Sequence, residues 1–152
     1  MVYAGIPEIG GRIMRKTIEI NGMPCEFKSS AAIPRMYRLK FQRDIFTDMN
    51  RLKKQVNAQN RLKEDLKKQA EERGEEFDEE EFESGLPIDS LEMFENIAFL
   101  MHKHGDPSQP SDIDEWLDQF ETFDIYQILP DILEMWNLEN KTNSKAKKGT
   151  GK

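Results

Sequence analysis

Residues 88–104, IDSLEMFENIAFLMHKH, decide the fold. Ile88, Leu91, Phe94, Ile97, Ala98, Leu100 and Met101 recur every three or four positions, the spacing that gathers side chains on one face of an α-helix. The apolar arc is wide, which places this helix at the centre of a core. Asp89 or Ser90 is expected to cap its start, and the run from Gly105 to Pro110 to stop it.

Moving outward toward the C-terminus, Ser111 and Asp112 with Asp114 and Glu115 make a capping-box-like start for a helix over about 112–122, bearing Ile113, Trp116, Leu117 and Phe120. A last helix over about 125–139 follows Thr122 or Asp124 and turns Ile125, Ile128, Leu129, Ile132, Leu133 and Trp136 inward. Pro130 is expected to break or kink it, because proline removes a helical N–H and clashes with the preceding turn. Toward the N-terminus, Ser29 and Ser30 are plausible caps for a helix over about 31–43, with Ile33, Met36, Tyr37 and Phe41 on one face and Arg35, Arg38, Lys40 and Arg43 on the other. A longer helix over 45–73 continues the stripe through Met49, Leu52, Val56, Leu62, Leu66 and Ala70. Its apolar cover thins past Gln59 and Asn60, so its far turns are expected to project from the core or lean on a second copy of the chain.

Ahead of these helices, KTIEINGMPCEFK (16–28) is two short alternating runs around Asn21-Gly22, the strongest short-range signal for a two-residue hairpin turn. That turn pairs Ile20 with Met23 and Ile18 with Cys25, so Ile18, Ile20, Met23, Cys25 and Phe27 share one dry face. Pro24 belongs on an outer edge, and two strands need cover from helices. The expected fold is therefore mainly α: a small helical bundle over 14–140 with an N-terminal β-hairpin. A flexible arm (1–13), a charged mobile loop (71–87) and a disordered basic tail (141–152) complete it. Met14 is an alternative start.

Charge is sorted along the chain. Residues 1–70 hold 15 Lys and Arg against 7 acids, residues 71–83 hold nine acids and one Arg, and residues 84–140 hold 13 acids and one Lys. The last twelve residues carry five Lys and no acid. Segregated charge steers association and fixes register, which suits a protein that pairs with itself or with other proteins. No run approaches the roughly 18 apolar residues of a membrane span, and no secretory signal pattern is present, so a soluble cytosolic protein is expected. The single Cys25 leaves no internal disulfide. No phosphate loop or catalytic signature stands out. His102 and His104 form an H-x-H, but positions i and i+2 on a helix face different ways, so two surface histidines are expected rather than a metal pair. Neither enzymatic activity nor a cofactor is expected. The cations of residues 35–68 supply an alternative, a nucleic-acid-binding regulatory protein, which the acidic whole and the lack of a reader motif disfavour.

Three stretches taken together point to a family: PRMYRLKFQRDI after the hairpin, FENIAFLM in the central helix, and WLDQF followed by IYQILPDILEMW at the end. In order and spacing the chain from about Lys16 to Trp136 resembles the tail assembly chaperones of long-tailed phages and prophages of Gram-positive bacteria. The charged stretch 53–86 departs from the pattern, and no family function carries onto it. The resemblance implies a non-enzymatic helical protein of the host cytoplasm that coats the tape measure protein, recruits major tail (tube) protein subunits and is absent from the finished virion. It also implies that a frameshifted longer form is possible. Tyr37, Phe41, Trp116, Phe123, Tyr126 and Trp136 are the favoured apolar contacts, each weighed against a place in the core. Self-association through the charged blocks is expected as well.

Overall fold

The computed structural model describes residues 14–82 and 85–138. The expected arm over 1–13 and the basic tail over 141–152 lie outside the described residues. The chain folds mainly as α-helix, with an N-terminal two-stranded antiparallel hairpin.

The hairpin pairs β1 (Met14–Ile20) with β2 (Met23–Ser29) in the register that the Asn21-Gly22 turn dictates, Ile20 opposite Met23 and Ile18 opposite Cys25. Both turn residues have positive φ, 54° at Asn21 and 81° at Gly22, as a two-residue turn of this kind requires. Pro24 stands opposite Glu19, a pair that exchanges no hydrogen bonds next to such a turn, so its missing N–H faces outward at no cost to the ladder. Ile18, Ile20, Cys25 and Phe27 are buried on the dry face, whereas Met23, at the tip, is exposed.

Helices supply the cover that two strands need. They are α1 (Ala32–Phe41), α2 (Ile45–Glu72), α3 (Ile88–Gly105), α4 (Ile113–Leu117) and α5 (Ile125–Met135). The central position expected of α3 is where it lies: it touches β2, α1, α2, α4 and α5, and Phe94, Ile97, Ala98, Leu100 and Met101 are buried along it. At its end Gly105 runs so close to β2 that a Cβ there would stand 2.9 Å from the Glu26 carbonyl carbon and 3.0 Å from that of Phe27. Glycine therefore sets the distance between helix and hairpin.

Several boundaries differ from those expected, each for a local reason. The first two residues of the α3 stripe, Ile88 and Leu91, are exposed rather than core, because the helix start extends past the packed centre. Its N-cap is Pro87, with no side-chain cap from Asp89 or Ser90. Ser90 instead donates to Gln55 Oε1 on α2. The α1 N-cap is Ala31, also without a side-chain bond. The helix expected over 112–122 is only five residues long, capped by Asp112 accepting from Glu115 N–H at 3.0 Å. Beyond it the chain must turn to reach Asn21, whose side-chain Oδ1 accepts from Glu121 N–H (2.8 Å) and Thr122 N–H (3.3 Å) while its Nδ2 donates to Thr122 Oγ1 (3.0 Å). In α5, capped by Asp124, the helix runs through Pro130 and stops at Met135. Asn137, in the left-handed conformation, ends it: its N–H donates to Glu134 O (3.0 Å) and that of Leu138 to Leu133 O (2.7 Å).

Two buried polar groups sit inside this frame. The Asp48 carboxylate accepts from Tyr37 Oη (2.6 Å) and from both Nε (2.7 Å) and Nη2 (2.8 Å) of Arg43. His102 stacks on Phe27 with ring centroids 5.2 Å apart, and its Nδ1 accepts from Trp116 Nε1 at 2.9 Å.

Candidate partner-binding surface

The far half of α2 outruns the core. A helix of 28 residues rises roughly 42 Å at about 1.5 Å per residue, more than the breadth of a small domain. Its buried side chains are Ile45, Asp48, Met49, Leu52 and Val56, then none until Ala70. Leu62 and Leu66 are 46% and 37% exposed. Together with Ala70 they form an i, i+4, i+8 stripe.

The acidic segment turns back along this stripe. Gly74, at φ 71°, closes α2: its N–H donates to Glu71 O (3.1 Å) and that of Glu75 to Ala70 O (2.8 Å). Residues 75–82, expected as loop, are irregular apart from a 3-10 turn at Glu79–Glu81. Phe77 and Phe82 stand with ring centroids 6.3 Å apart, and with Leu62, Leu66 and Ala70 they line a hollow of about 620 Å³. Glu79 is gripped by Lys67 (2.8 Å) and Lys63 (3.4 Å). The Lys67 hydrogen bond, followed by that of Lys63, holds the Glu79 carboxyl below its ordinary range. Gln59 Oε1 accepts from Gly85 N–H at 2.9 Å, where the chain comes back toward the core.

A second apolar feature lies at the head of α3. Ile88 is 76% exposed and Leu91 38%, one helical turn apart on the same face.

The six residues favoured from sequence are not gathered on one surface. Tyr37 and Trp116 are wholly buried, which corrects their assignment to a partner: each has a polar end satisfied inside the protein, by Asp48 and His102. Phe41 is half-buried against Tyr37 (5.0 Å between centroids), and Phe123 stacks on Phe94 (4.9 Å). Tyr126 is half-buried and borders a small hollow with Val56 and Leu129. Trp136, also half-buried, donates to Met101 Sδ (3.4 Å) and meets the exposed Phe46 edge-on at 5.4 Å.

The histidines are corrected too. His102 is a core residue, and His104 is half-buried rather than fully exposed. Burial pushes both imidazoles below their ordinary value. Among the described residues no group of three or more His, Cys, Asp and Glu is placed to hold a metal ion, and no helix is long and apolar enough to cross a membrane.

Of the eleven cations counted from Arg35 to Lys68, at least four have partners within the chain. Arg43 binds Asp48, Lys53 donates to Leu138 O (2.9 Å), and Lys63 and Lys67 hold Glu79. Sequence reasoning passed over Phe77 and Phe82. The signal available was two phenylalanines in an acidic run following a leucine stripe flanked by lysines. Compared with known proteins, the chain matches no family model, no curated protein and no solved structure.

Proposed function

We propose that this chain is a non-enzymatic assembly chaperone of phage tails, which covers helical segments of a tape measure protein in the host cytoplasm, brings tail tube subunits to it and leaves before the virion is complete. The reading is carried by the apolar face at the head of α3, where Ile88 and Leu91 stay in solvent although the apolar residues of the helix from Met93 to Met101 are buried. Exposed apolar residues one turn apart on a rigid helix suit the docking of a second amphipathic helix. The order of hairpin, basic helix, apolar helix and aromatic C-terminal helix supports it, since that is the order in which the family resemblance runs. The expected self-association belongs to the same proposal.

Co-expression with a tape measure protein tests the reading. The client is expected to stay soluble and to co-purify with the wild-type chain, and to be lost with Ile88→Asp combined with Leu91→Asp. Neither residue belongs to the buried core cluster, so that variant is expected to fold. A client equally soluble with and without the chain, and never co-purifying, would sink the proposal.

A further inference from the structure

The hollow on the far half of α2 is walled on one side by the chain's own acidic segment, and that segment displays the chemistry that meets the helix there. On the helix side it is lined by Leu62, Leu66 and Ala70, and beside that stripe Lys63 and Lys67 of the same helix pair with Glu79 of the segment. Facing the stripe across it is a pair of phenylalanines five residues apart, Phe77 and Phe82, with Asp78, Glu79, Glu80 and Glu81 between them.

The fit is loose. With Phe77 and Phe82 in place, Leu62 and Leu66 remain 46% and 37% exposed, and about 620 Å³ of open space separates the elements. The segment is tied mainly by surface ion pairs, which are individually weak and screened by salt, and by a single 3-10 turn. A piece of structure with few buried apolar contacts opens at low free energy. A tighter-fitting occupant would bury more of the leucine stripe.

From this we infer that the far half of α2 is a docking site for an acidic segment of a partner protein carrying two aromatic side chains, and that residues 75–82 are a built-in competitor for it. The site lies in the stretch that departs from the family pattern, so the inference goes beyond the tail reading and stands or falls without it. An intramolecular competitor acts at an effective concentration of millimolar order, so it admits only partners that outcompete that level. The segment thereby restricts access to the stripe from one side when no partner is present.

The test uses the full chain and a defined probe, a synthetic peptide with the sequence of residues 75–82, titrated to millimolar concentration while backbone amide NMR shifts are followed. In the full-length variant Phe77→Ser with Phe82→Ser, saturable shifts are expected at Leu62, Leu66 and Ala70. Wild-type protein is expected to bind roughly tenfold more weakly or less, because its own segment competes. Adding Leu62→Ser and Leu66→Ser, or Lys63→Glu and Lys67→Glu, is expected to abolish the shifts. Phe77, Phe82, Leu62 and Leu66 all lie outside the buried core cluster, and an unchanged thermal melt verifies that the variants are folded. Equal affinity in wild type and variant, no shifts in the opened variant, or equal binding of a peptide whose phenylalanines are replaced by serine would each overturn the inference.

Discussion

Asp48 exposes 1% of its surface, and a carboxylate so placed is tolerated only because three donors from Tyr37 and Arg43 meet it. Asp48→Ala is expected to destabilise the protein by about 2–3 kcal/mol. That is below the cost of breaking a fully buried pair, because Arg43 is half in solvent and recovers water while the Tyr37 hydroxyl does not. Denaturant unfolding measures it, and a Tyr37→Phe cycle should show the two losses to be non-additive. At Gly105 the threat is steric: Gly105→Ala drives a methyl into the β2 backbone, and a loss of about 2 kcal/mol is expected from the same measurement. His102 gives a pH signature. Its pKa is depressed from 6.5 by burial, against the opposing pull of Asp106 and Glu26, and that of His104 by burial and then Lys28 and Arg15. The folded state therefore binds fewer protons than the unfolded one below that value. Stability is complete above about pH 6.5 and declines as the pH falls, by at most about 1.4 kcal/mol per unit for each group. Unfolding curves at about pH 7.5 and about pH 5.5 should show this decline. His102→Gln should reduce it, and an unchanged decline would mean that His102 is not its source. None of these roles was legible in sequence. It marks Tyr37 and Trp116 as large side chains with polar ends, but their partners lie 11 and 14 positions away and meet them only through tertiary packing.

Helices and strands were far more readable than single contacts. Asn-Gly between alternating runs fixes the hairpin register, because only that pairing puts Ile18, Cys25 and Phe27 on one face. Asp112 and Asp124 were readable as caps because a short acidic side chain before an apolar run satisfies the first free N–H groups. The extent of α4 was not readable, since it is cut short by the bond network at Asn21, about a hundred residues earlier. Asn21→Gly keeps a residue at ease with positive φ but removes those bonds. A loss of about 1–2 kcal/mol is expected, with amide exchange accelerated first at Glu121 and Thr122. The candidate site was half legible: the leucine stripe of α2 could be read, but not that the acidic run would fold back upon it.

Across the molecule, sorted charge is partly consumed at home. Glu79 returns to Lys63 and Lys67, and Lys16 of β1 lies between Asp131 (2.9 Å) and Glu134 of α5. The unpaired remainder is expected to drive self-association, seen in sedimentation as larger species at low ionic strength that dissociate as salt screens them. A strictly monomeric protein at low salt would count against it. The Lys16 contacts also bear on how the chain is made. β1 is among the first described residues to leave the ribosome and α5 the last, yet α5 packs on β1 and the hairpin's dry face joins the same core. At roughly 5–20 residues per second, the hairpin waits several seconds for its final cover, so folding completes only when translation of the domain is nearly over. A ribosome stalled before residue 125 should therefore hold a nascent chain whose N-terminal strands are still open to protease.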